Sequence, residues 1–243
     1  MVLGGRLLAV SALLVALLPH VADAACPKGT RAKRRHHGKE RACVLPDGTL
    51  HGPWRRSFRL SRDIGRFDLG VREGAWRTEL FTGEVHHYAY RAGKLHGPFR
   101  KLDRKGRELE VLHYRDGVLH GDVRGRWEDG RKRVEGRYRD GLRVGRWRLW
   151  HATGALAEET RYLEGKLHGT LVRRWPDGAE FERGRYAHGQ REGEWQALQP
   201  DGKPIYRGRW AKGRQVGTWA FYDEAGAPAQ RWNPGSDSQN PKR

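Results

Sequence analysis

Eight copies of the phrase Gly-x-x-x-Gly-x-(Trp/Phe/Leu/Val) recur along this chain, and the repetition constrains its fold more than any other feature. The leading glycines are Gly48, Gly70, Gly93, Gly117, Gly141, Gly165, Gly189 and Gly213, spaced 22, 23 and then regularly 24 residues apart. A fixed period in this range marks a repeat array, in which each unit buries its apolar face only against its neighbours. Such arrays present extended surfaces more often than they close a catalytic pocket.

Each unit carries two turn signals about half a period apart. One is the Gly-x-x-x-Gly pair itself. The other is a glycine 13 residues after the leader, as in Asp129-Gly130, Asp177-Gly178 and Asp201-Gly202. Asp-Gly is a strong hairpin signal, because the favoured two-residue turn needs positive φ at both central residues. The segments between turns are of strand length and too short for helices. Six residues after the leaders stand Trp54, Trp76, Phe99, Val123, Trp147, Leu171, Trp195 and Trp219. Three residues before the next leaders stand Phe67, Tyr90, Tyr114, Tyr138, Tyr162, Tyr186 and Trp210. These two ladders are expected on one sheet face as the core, with Gly136, Gly184 and Gly208 leaving room for neighbouring rings. The spacing therefore predicts an all-β chain: an elongated, twisted or curled antiparallel meander of about eight β-hairpin repeats over residues 47–232.

Tyr206-Arg-Gly208-Arg-Trp210-Ala-Lys-Gly213-Arg-Gln-Val-Gly217-Thr-Trp219 resembles the membrane-occupation-and-recognition-nexus (MORN) repeat, whose core reads Tyr-x-Gly-x-Trp-x-x-Gly-x-x-x-Gly. Glu135-Gly136-Arg-Tyr138-Arg-Asp-Gly141-Leu-Arg-Val-Gly145-Arg-Trp147 follows the same pattern. The likeness is greatest to the bacterial variant of the repeat, found in exported proteins and in proteins described as antitoxin components. It implies lipid-associated, scaffolding or protein-binding roles rather than one activity. Val123 and Leu171 depart from the pattern, as do the two shorter first periods.

The ends of the chain read differently. Arg6, the apolar run Leu7–Leu18 and Ala22-Asp23-Ala24 have the form of a secretory leader over residues 1–24, which implies an exported protein, periplasmic or secreted. Lipid attachment at Cys26 is disfavoured by Asp23. The only cysteines, Cys26 and Cys43, are expected to form one disulfide in such a compartment; their spacing with His36 and His37 matches no common zinc pattern. Between them lie Lys28, Arg31, Lys33, Arg34, Arg35, Lys39 and Arg41, a candidate contact surface for a polyanion. Residues 233–243 have the composition of a disordered tail.

Forty-eight basic against 29 acidic residues give a net charge of +19, which suits an anionic partner or keeps an exposed sheet soluble. No catalytic residue, cofactor site or metal site is assigned. The Leu-His-Gly histidines His51, His96, His120 and His168 give way to Glu73, Val144, Glu192 and Val216 in other units, which reads as turn chemistry rather than as a ladder of ligands. No nucleophile elbow, phosphate loop or zinc-protease helix is present. The expected function is a non-enzymatic, exported protein-binding or scaffold module of the cell envelope. The alternative is docking on anionic lipid or acidic glycan, with nucleic acid disfavoured. Runs such as Glu158-Glu159-Thr160-Arg161 and Glu180-Phe181-Glu182-Arg183 suggest that acids interleave with the arginines, which favours the protein partner.

Overall fold

In the computed structural model, which describes residues 25–234, the chain forms 21 antiparallel strands in one sheet and no helix. Residues 1–24, where a secretory leader is expected, and residues 235–243, most of the expected disordered tail, lie outside the described residues. Strands pair in chain order. Arg31–Arg35 pairs only with Glu40–Val44, and Pro228–Trp232 only with Arg214–Tyr222, so the sheet is open at both edges. Eight repeat hairpins follow the basic N-terminal hairpin, which pairs directly with Leu50–Ser57 and so extends the same sheet. Three short strands, Lys94–Leu95, Val118–Leu119 and Lys166–Leu167, are split from their continuations at His96, His120 and His168.

The two turn signals exchange the geometries expected of them. Positive φ at both central residues occurs at the leading glycines, as in Asp116–Gly117 (51° and 89°), Glu164–Gly165 (49° and 79°) and Lys212–Gly213 (48° and 75°). At the Asp-Gly sites only glycine is left-handed, with φ 92° at Gly130. There Gly130 N donates to Trp127 O and Trp127 N donates to Arg131 O, closing a wider loop, while Asp129 Oδ1 accepts from Arg131 N. The aspartate thus stays right-handed and caps the loop through its side chain.

The core solves a problem peculiar to one sheet layer, which has no second layer to cover its rings. In strand Leu142–Trp150 the left-handed Gly145 (φ 67°) opens a bulge: Glu135 faces Arg148 and Arg137 faces Val144, so residues 145–147 stand against Gly136 alone. The bulge lays the Trp147 indole over Gly136. Tyr138 and Tyr162 pack edge-on against that indole, with centroids 5.2 and 6.0 Å away. The guanidinium of Arg143 covers its outer side, 4.6 Å from the ring centre. The same Gly–Trp–Arg sandwich recurs as Gly65–Trp76–Arg72 and Gly184–Trp195–Arg191, leaving Trp76 and Trp195 only 1% exposed. Where a smaller residue replaces the tryptophan, a larger one replaces the glycine 11 positions before it: Tyr88 with Phe99, Leu112 with Val123, Thr160 with Leu171. The ladders expected as core are therefore the core, with volume exchanged between partners unit by unit.

Candidate functional site: an arginine row across the sheet

The basic hairpin is closed by the Cys26–Cys43 disulfide, with Cα atoms 5.5 Å apart. Lys28, Arg31, Lys33, Arg34, Lys39 and Arg41 are exposed, while Arg35 is half-buried and donates to Gly48 O at 3.3 Å. The single acid among them, Glu40, is withdrawn from the surface. It is buried, accepts from Trp54 Nε1 at 2.9 Å and meets His36 at 3.2 Å.

This hairpin opens a longer feature. On the face opposite the tryptophans, cross-strand pairing places Arg34 beside Arg41 and Arg41 beside Arg55. The same row then passes through every repeat. Its first-strand members are Arg55, Arg77, Arg100, Arg124 and Arg148, opposed on the second strands by Ile64, His87, Val111, Glu135 and Glu159. In the last three units the arginine changes strand. Val172, Gln196 and Ala220 take the first-strand place, and Arg183, Arg207 and Arg231 stand opposite them. Each hairpin thus contributes one arginine to the row.

A second row lies two residues along on the same face. Here Arg146 stands directly opposite Arg161, Thr170 opposite Arg185, and Glu194 opposite Arg209. Like charges opposed across a ladder destabilise it, so this pairing carries a cost that the fold does not require. Arg137, Arg146, Arg161 and Arg185 line one open groove of about 830 Å³. Arg161, Arg185, Arg207 and Arg209 are exposed and form no ion pair among the described residues. Other arginines of the face are paired: Arg148 with Glu159 at 2.9 Å, Arg77 with Glu79 at 2.7 Å and Arg137 with Asp122 at 3.5 Å. The hydrogen bond from Arg148 holds the Glu159 carboxyl below the usual glutamate range, against a partial desolvation that acts the other way.

The interleaving read along the strands is partly an effect of the pleat, since neighbours in a strand face opposite ways. Glu158 and Glu182 lie on the tryptophan face, where both bind Arg173 (2.9 and 2.8 Å) and Glu182 also accepts from Tyr206 Oη at 2.7 Å. Glu159, Arg161 and Arg183 lie on the other face. Adjacent His86 and His87 separate likewise: the His86 ring packs 5.4 Å from that of Phe99, and His87 stands in the arginine row.

The repeat histidines serve the turns. His51, His96, His120 and His168 each accept, through Nδ1, the backbone N–H of the following left-handed residue (Leu69, Asp116, Asp140 and His188) at 3.3–3.4 Å. Glu73 and Glu192 do the same for Ala92 and Lys212 at 2.8 Å. Among the described residues no group of three or more His, Cys, Asp or Glu is placed to hold a metal ion.

No protein-family model matches the chain, and no curated protein matches it.

Proposed function

We propose that this is a non-enzymatic, exported, MORN-like repeat protein that binds an extended polyanion on its arginine face. The observation that carries the reading is the uninterrupted row, one arginine per hairpin, continued by the basic hairpin at the edge of the sheet. Arg146 opposed to Arg161 adds to it: Arg146 meets Glu159 at 3.9 Å while Arg161 has no ion-pair partner among the described residues, so the like-charge rung becomes favourable once an anion bridges it. The reading departs from the expectation of a protein partner, because interleaving leaves Arg161, Arg185, Arg207 and Arg209 unpaired.

A second reading, a protein scaffold of the cell envelope, draws on the carboxylates that remain on the face (Glu135, Glu159 and Glu194). Capture of the protein's ligands from an envelope extract at low and at high salt separates the two. A polyanion site releases its ligand as salt rises, because exposed charges are screened. One protein retained in fixed ratio through high salt would establish the scaffold instead.

A further inference from the structure

The pattern of the row says which kind of polyanion suits it, provided that the face is a polyanion site at all. Inheritance by duplication would keep each arginine at one repeat position. Instead the residue leaves the first strand in the same three units in which it appears on the second, Arg183, Arg207 and Arg231 replacing the Arg148 position. What persists is one cation per hairpin, at an interval of two strands or about 10 Å; only at the switch, from Arg148 to Arg183, does the interval widen to three strands. A nucleic-acid strand carries a phosphate about every 3.4 Å of duplex axis, roughly three times as densely. The two rows also hold no Trp, Tyr or Phe side chain on which bases could stack, and His87 is the one imidazole of the first row. Glu135, Glu159 and Glu194 would repel a densely charged chain, yet they are good acceptors for hydroxyl groups. A bilayer fits poorly too. Adjacent strands rotate by about 20°, so hairpins four apart face widely different directions and cannot meet one plane together.

We infer that the arginine face binds a linear acidic polysaccharide with isolated carboxylates, laid across the strands, with Arg161 and Arg185 as its principal anchors. The guanidinium groups take the carboxylates in bidentate fashion, and the intervening glutamates accept hydrogen bonds from sugar hydroxyls. A flexible chain follows the twist of the sheet and gains from each hairpin in turn, so affinity grows with length.

The test is titration of the full chain with hyaluronan, whose carboxylates stand on every second sugar, long and as the trimer of its disaccharide, beside heparin, single-stranded DNA and vesicles containing anionic phospholipid. Binding is expected to be tightest for long hyaluronan and at least about tenfold weaker for the trimer. Arg161→Gln with Arg185→Gln should weaken hyaluronan binding about tenfold or more. Removal of two exposed turn charges, Arg59→Gln with Arg104→Gln, should change it less than twofold. Both pairs lie outside the core, and far-UV circular dichroism checks that each variant is folded. Equal loss in both variants, or equal affinity for trimer and polymer, would overturn the inference while leaving polyanion binding intact. Tighter binding to DNA, heparin or vesicles would overturn the polysaccharide assignment. Absence of salt-sensitive binding to every probe would overturn the proposed function as well.

Discussion

Gly136 lies beneath the ring of Trp147: a Cβ built at position 136 would stand 2.3 Å from the indole Cδ2. The indole is pinned from above by Arg143 and flanked by Tyr138 and Tyr162, so it has little room to retreat. Gly136→Ala is expected to destabilise the protein by about 1–3 kcal/mol through overpacking. The chain contains its own remedy in the Leu112 and Val123 pair. Trp147→Val alone leaves a cavity, and adding Gly136→Ala to it should cost less than the alanine costs in the wild type. A double-mutant cycle by chemical denaturation measures the coupling. Additive effects would show that the rung tolerates any volume.

Much of this architecture is legible in the sequence because it repeats. The leading glycines, the tryptophan and tyrosine ladders and the glycines facing the rings all recur at one spacing, and a period of 24 suffices to place them on one face. The arginine row is harder to see. It depends on which residues oppose one another across strands, and that is set by bulges such as the one at Gly145, which put three residues against one. The sequence signal was available in part: Arg55, Arg77, Arg100, Arg124 and Arg148 all stand seven residues after a leading glycine. The switch to Arg183, Arg207 and Arg231 hides the continuation, because those residues occupy a different repeat position and join the row only through pairing. The histidine clamps escape for a similar reason, since their acceptor role depends on a turn 18–20 residues onward.

The guanidinium lid on each core tryptophan makes a separate prediction. Arg143 stacks on Trp147 and donates to Tyr162 Oη at 3.0 Å, and it forms no ion pair among the described residues. Arg143→Ala therefore removes stacking and apolar cover rather than a salt bridge, and should cost about 1–2 kcal/mol. Arg143→Lys, which keeps the charge and loses the planar group, should recover only part of that. The amides of strand Leu142–Trp150 should exchange faster in both variants, and equal stability of Lys and Arg would reduce the interaction to charge alone.

Reduction of Cys26–Cys43 should act locally. The bridge closes a loop of 17 residues, for which chain entropy gives about 3 kcal/mol. In a repeat array that loss falls on the terminal unit and its neighbour. Hydrogen exchange in reductant should rise across Arg31–Val44 and Leu50–Ser57 and stay unchanged beyond the third hairpin. A global loss of protection would mean that the sheet melts as one cooperative block.

Acid should weaken the fold in two stages. His87 sits in the arginine row, half-buried, and desolvation first, then the charges of Arg77 and Arg100, hold its imidazole below the ordinary value of 6.5, with Glu79 opposing. A histidine depressed in the folded state contributes stability that is fully present above its unfolded pKa and is lost as pH falls through the folded value. Stability should therefore begin to fall below about pH 6.5. The carboxylates follow lower down. Glu159 is held below the ordinary 4.5 chiefly by the hydrogen bond from Arg148, and Glu180 by that from Arg183. Their contribution is present above that ordinary value and is lost as pH drops through the folded ones. His87→Gln should flatten the melting temperature between neutral pH and the onset of carboxylate titration, leaving the lower stage in place. Thermal melts of wild type and variant at half-unit pH steps would decide it, and parallel curves throughout would assign the first stage to another group.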